Sequence, residues 1–80
     1  MLSAGSGGIT SCIRHIQKVE DDVTASGKGI SLTGFTDFNK MIALVSGNAR
    51  IGSFTKNSIR ISKNGERSEE YFYLQVIEFY

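Results

Sequence analysis

Apolar residues recur along the chain in short runs, each broken by Gly, Ser, Asn or charge. The first run is Ile9, Cys12, Ile13, Ile16 and Val19. Its spacing fits one face of a helix. It equally fits a strand from Ile13 to Lys18, with Ile13 and His15 on one side and Arg14 and Ile16 on the other. β-Branched residues fill most of the apolar positions, which favours strand, with helix kept open over 9–19. Glu20-Asp21-Asp22 reads as a solvated turn; it lacks the alternating oxygen ligands and Gly of a calcium loop. Val23–Ser26 and Gly29–Thr33 then read as two arms across Ser26-Gly27-Lys28-Gly29.

Met41–Val45 is the most apolar run and suits a central, two-sided strand. Short strands follow at Arg50–Thr55 and Ser58–Ser62, and Asn64-Gly65 is a strong hairpin signal. The last strand, about Glu69 to Phe79, has two apolar faces at period two. Phe72, Leu74 and Val76 form one; Tyr71, Tyr73, Gln75, Ile77 and Phe79 form the other. Turn signals about every ten residues predict an all-β chain, a small antiparallel β-sandwich of about six strands. It occupies residues 9–80 as a single domain after a flexible Ser/Gly-rich leader, residues 1–8.

Composition supports this picture and adds a problem. Ile, Val and Thr number eighteen of 80 residues, a bias that suits strands. A chain of this size buries only about 60% of its unfolded surface and is marginal alone. A lone Cys12 makes no intramolecular disulfide, and one Cys with one His closes no zinc site without carboxylates. Oligomerisation is the remaining staple. The two-faced last strand shows where it would act: Tyr71, Tyr73, Ile77, Phe79 and Tyr80 are the expected self-association residues. The net charge of +1 argues against nucleic acid as a partner, and no apolar run reaches the roughly 18 residues of a membrane span. Met1–Gly8 has neither basic residues nor an apolar core, so no signal peptide is expected.

Candidate chemistry is sparse. Cys12 and His15 lack the orienting third group that a nucleophile pair needs. The Gly5–Gly8 and Gly27–Gly29 stretches lack the features of a phosphate loop. Glu69 and Glu70, with Glu66 and Glu78, invite a paired-carboxylate reading, but Glu69 and Glu70 point to opposite faces of a strand and cannot converge, so a solvated strand entry is expected. Lys56, Arg60, Lys63 and Arg67 gather near the Asn64-Gly65 signal, but Glu66, Glu69 and Glu70 dilute their field. Phe35, Asp37, Phe38 and Asn39 are the most ligand-like group, since aromatic faces with short polar groups suit a sugar; the same residues also serve to plug and cap a loop. No cofactor, metal or catalytic residue is expected.

Three stretches together resemble a known group. Gly7-Gly8-Ile9 with Ile13-Arg14-His15-Ile16-Gln17-Lys18, then Ile30-Ser31-Leu32 with Asp37, Lys40 and Met41–Gly47, then Tyr73-Leu74-Gln75-Val76-Ile77-Glu78-Phe79-Tyr80 are similar in order and spacing to small domains of bacteriophage structural proteins. The acidic Glu20–Asp22 departs from the small-residue turn usual there. The architecture also resembles the H-type lectins, although the Trp of their last strand is missing and no sugar-binding residue transfers. The resemblance implies a non-enzymatic virion protein: a tail-fibre, tail-tip, spike or head-decoration subunit, trimeric, docked on a larger virion protein. The Met1 start makes a separate short subunit the expectation. A lectin-like module attaching to a host surface glycan is the alternative.

Overall fold

The computed structural model describes residues 12–80. The Ser/Gly leader and Ile9 lie outside them. The strands are β1 (Ile13–Thr24), β2 (Lys28–Ser31), β3 (Met41–Gly47), β4 (Ala49–Phe54), β5 (Ser58–Lys63) and β6 (Glu69–Phe79), with one 3-10 turn at Phe38–Lys40. The protein is all-β, and the described strands number six. They form two three-stranded antiparallel sheets: the first ordered β1-β6-β3, the second β2-β5-β4.

The strand reading of the first apolar run holds from Ile13 onward, and β1 is longer than expected. Glu20, Asp21 and Asp22 are not a turn. They pair with Tyr73, Phe72 and Tyr71 of β6. β1 is an edge strand, so exposed carboxylates cost little there and guard the edge. Asp21 reaches Lys28 at 2.8 Å and ties the two sheets at that edge. A register shift between Ile13 and His15 is a bulge, and it lets Arg14 and His15 both reach the loop after β2.

Two expected hairpins are absent. Gly27 does turn the chain, at φ +84° with its N–H donating to Thr24 O at 2.9 Å, but β2 leaves for the other sheet and pairs with β5. The Asn64-Gly65 segment likewise leads from β5 in one sheet to β6 in the other. The reason is in the core: Phe72, Leu74 and Val76 of β6 are buried in one cluster with Ile59 and Ile61 of β5, while the two strands pair in different sheets. Among the described strands only β4 and β5 form a hairpin, closed by Thr55 N–H to Ser58 O at 2.8 Å.

Met41–Val45 is also corrected. β3 lies at the edge of the first sheet, with Met41 buried but Ile42 and Leu44 facing water. Gly47 ends it at φ +99°, where a Cβ would strike the Tyr71 carbonyl, so the corner into β4 requires glycine.

One core joins the sheets. Val23, Met41, Phe72, Leu74 and Val76 come from the first, Ala49, Ile59 and Ile61 from the second, and Leu32 and Phe35 from the loop after β2. Each large aliphatic or aromatic chain buried here stabilises by roughly 1.5–3 kcal/mol.

Candidate functional site

Alternation along β6 puts Tyr71, Tyr73, Gln75, Ile77 and Phe79 on the side away from the core. Register extends this face across three strands. Ile16, Ile77 and Ile42 form one cross-strand row, Lys18, Gln75 and Leu44 the next, and Glu20, Tyr73 and Ser46 the third. The face is therefore graded, apolar toward Phe79 and acidic toward Tyr71. Tyr71 hydroxyl donates to Glu20, and that bond holds the phenol's pKa above its ordinary value.

Ile16 (39%), Ile42 (43%), Leu44 (53%), Tyr71 (54%) and Tyr80 (72%) keep these shares of their surface in water. Tyr80 lies past the end of β6, so the first four carry the face; at roughly 200 Å² for a large side chain they leave about 380 Å² of exposed chain on it. That lies in the size range that is often functional on a monomer, and is nearly half of the ~800 Å² each partner gives to a standard interface. Of the expected association residues, Tyr71 and Tyr80 are well exposed, while Tyr73, Ile77 and Phe79 are half-buried by their neighbours. Sequence reasoning missed Ile16, Ile42 and Leu44, because only strand register places them beside β6.

The Phe35–Asn39 loop has a different construction. Phe35 is buried, edge-on to His15 with ring centroids 4.6 Å apart. Asp37 accepts from Asn39 N–H at 3.0 Å and so caps the 3-10 turn. Phe38 is exposed and rests edge-on against Phe54 at 4.9 Å. Only Phe38 and Asn39 of this group present a side chain outward for a ligand.

Beneath the loop lies Glu78, a carboxylate whose burial and partners the sequence pattern did not show. Glu78 continues the Phe72-Leu74-Val76 face and is buried. It accepts from Arg14 Nε at 2.9 Å, Thr36 Oγ1 at 2.8 Å, Thr36 N–H at 3.1 Å and Asp37 N–H at 2.7 Å. Burial pushes its pKa up, but the bonds from Thr36, Arg14 and Asp37 outweigh this and lower it to about 2. Arg14 also donates to Gly34 O, so one ion pair joins β1, the loop and β6. The signal available in the sequence was a Glu in phase with three apolar residues.

At the far end of β6, Glu70 is buried on the same face. It accepts from Asn48 Nδ2 at 3.3 Å and Arg67 N–H at 3.4 Å, beside an open cleft of about 350 Å³ lined also by Asp22, Gly47 and Tyr71. Glu69 is exposed on the opposite face, so this pair does not converge. His15 Nε2 donates to Thr33 O at 2.8 Å, which commits that nitrogen to structure. Cys12 is exposed. Among the described residues, no group of three or more His, Cys, Asp or Glu is arranged to hold a metal ion. None of their helices is long and apolar enough to cross a membrane. No protein-family model, curated protein or solved structure matches the chain.

Proposed function

We propose that the chain is a non-enzymatic structural module of a bacteriophage virion, a subunit of a tail fibre, tail tip, spike or head decoration. In this reading the two sheets close as a β-sandwich. Three copies associate through the outer face of the first sheet, and the assembly docks on a larger virion protein.

The observation that carries the self-association is the Ile16-Ile77-Ile42 row with Leu44 beside it, an apolar surface on an otherwise polar small domain. The β3 edge next to it carries no charge from Met41 to Gly47, unlike β1. An extended envelope of 45 × 23 × 15 Å also leaves little interior per residue, so burial against other copies adds what the core lacks. The virion setting is supported by the ordered sequence resemblance at Gly7–Lys18, Ile30–Gly47 and Tyr73–Tyr80. Mass spectrometry of purified virions tests that setting. The chain is expected in them at a stoichiometry divisible by three, and its absence overturns the assignment.

A second reading, attachment to a host glycan, draws on the exposed Phe38 packed against Phe54 with Asn39 adjacent. Glycan arrays with Phe38→Ala and Asp37→Ala variants test it. Binding to no neutral sugar removes it.

A further inference from the structure

The near-neutral net charge conceals a separation of charge between the sheets. The strands of the second sheet carry Lys28, Arg50, Arg60 and Lys63 and no carboxylate. Those of the first carry Glu20, Asp21, Asp22, Glu69, Glu70 and Glu78 against Arg14 and Lys18. From Phe38 to Gly65 the chain contains no Asp or Glu at all.

Register decides which cations reach the outer face of the second sheet. Ile59 and Ile61 point inward, so Ser58, Arg60 and Ser62 point outward. Arg60 stands between Gly29 and Ser53, and Arg50 stands opposite Ser62. Arg50 and Arg60 are thus diagonal neighbours, with Cα atoms about 7–8 Å apart. Lys56 occupies the exposed turn between β4 and β5.

Both guanidinium groups are positioned without being neutralised. Arg60 Nη2 donates to Ser26 O, and the side chain lies over Gly27 and Gly29; a Cβ at Gly27 would crowd it. Arg50 donates to Asn64 Oδ1 and Lys63 O. All these acceptors are uncharged. Among the described residues the ion pairs are Arg14–Glu78 and Lys28–Asp21, so neither Arg50 nor Arg60 has a carboxylate partner there. A fixed arginine with free donors and no counter-charge is prepared for an anion.

We infer that the outer face of the β2–β5–β4 sheet binds an anionic polysaccharide, with Arg50 and Arg60 on its sulfate, phosphate or carboxylate groups and Lys56 at the end of the track. Charge complementarity favours a polyanion. The remaining outward residues, Ser31, Ser53, Ser58 and Ser62, offer hydroxyl groups to a hydroxyl-rich chain. No aromatic side chain lies on this face among the described residues, so it provides no platform for stacked bases. The site is separate from the Phe38 loop and stands whether or not the first sheet self-associates.

The test is binding of the full chain to immobilised dextran sulfate against neutral dextran, by biolayer interferometry at about 50 mM salt. A pH of about 8 is suitable, because the isoelectric point is about 7.9 and overall charge then contributes little. Binding to dextran sulfate alone is expected, with a log–log salt slope of about −2 to −3 for three contacts. The double variant Arg50→Ser/Arg60→Ser should weaken it about tenfold or more, while Lys40→Gln/Arg67→Gln, the same charge change elsewhere, stays within about twofold. Should the arginine variant not fold by circular dichroism, Lys56→Gln in the exposed turn should still weaken binding about threefold. Absence of binding, equal loss from the control pair, or tighter binding of duplex DNA or polyglutamate overturns the assignment.

Discussion

The first sheet turns Ile16, Ile42, Leu44, Tyr71 and Ile77 outward, whereas the second turns out Gly29, Ser31, Arg50, Ser58, Arg60 and Ser62. Their inner faces, by contrast, are alike: both are aliphatic and aromatic and meet in one core. An antiparallel sheet with one face in water should look like the second. The first departs from that rule over three adjacent strands, and the departure is where the proposed partner surface lies. On that proposal a marginal chain manages with a small core because one sheet supplies a water-facing exterior and the other's apolar area is buried between copies.

The largest expected effect comes from removing what the two sheets share. Phe72→Ala empties the centre of the common core and should cost about 3–5 kcal/mol, enough to unfold much of a marginal domain in thermal melts. Next, Leu44→Lys makes the first sheet's exterior resemble the second's. It should weaken assembly about 100-fold, roughly 2.7 kcal/mol, in sedimentation experiments, and change monomer stability by no more than about 0.5 kcal/mol. Gly47→Ala acts where the chain passes from one sheet to the other. Its φ of +99° and the Tyr71 carbonyl in the way should make it cost about 1–3 kcal/mol by denaturant unfolding. Ser58→Ala, on the polar exterior, should stay within about 0.5 kcal/mol and leave assembly unchanged.

Acid probes the Glu78 end of β6 in the same spirit. Glu78 has a folded pKa of about 2 against an ordinary 4.5, so it favours folding once ionised. Its contribution is complete above about pH 4.5 and is lost as pH falls toward 2. Denaturation midpoints measured across that window should fall with pH for the native chain. They should fall less for Glu78→Gln, which begins lower because it gives up the ion pair with Arg14.

Much of the strand content could be read from alternation. Glu69–Phe79 is found with the predicted limits, Ser58–Ser62 stops one residue short of the end of β5, and Arg50–Thr55 is displaced from β4 by one residue at each end. Connectivity could not be read in this way. Asn64-Gly65 has the composition of a hairpin, yet the same turn chemistry serves a crossing between sheets. The choice lies with Phe72, Leu74 and Val76 sharing one buried cluster with Ile59 and Ile61. Glu20–Asp22 misled because its carboxylates are tolerated at an edge, which composition alone does not reveal. Tyr71 of the candidate face is legible from the last strand. The apolar character of Ile42 and Leu44 predicts a central, buried strand, and here it marks the exposed face itself.

The central claim is that the first sheet's outer face is covered by other copies of the chain. Its most direct test is light scattering after size-exclusion of the unmodified chain, followed from low to high micromolar concentration. The account predicts a mass three times the 8.8 kDa of one chain. A single-chain mass that persists at the highest concentration would contradict it.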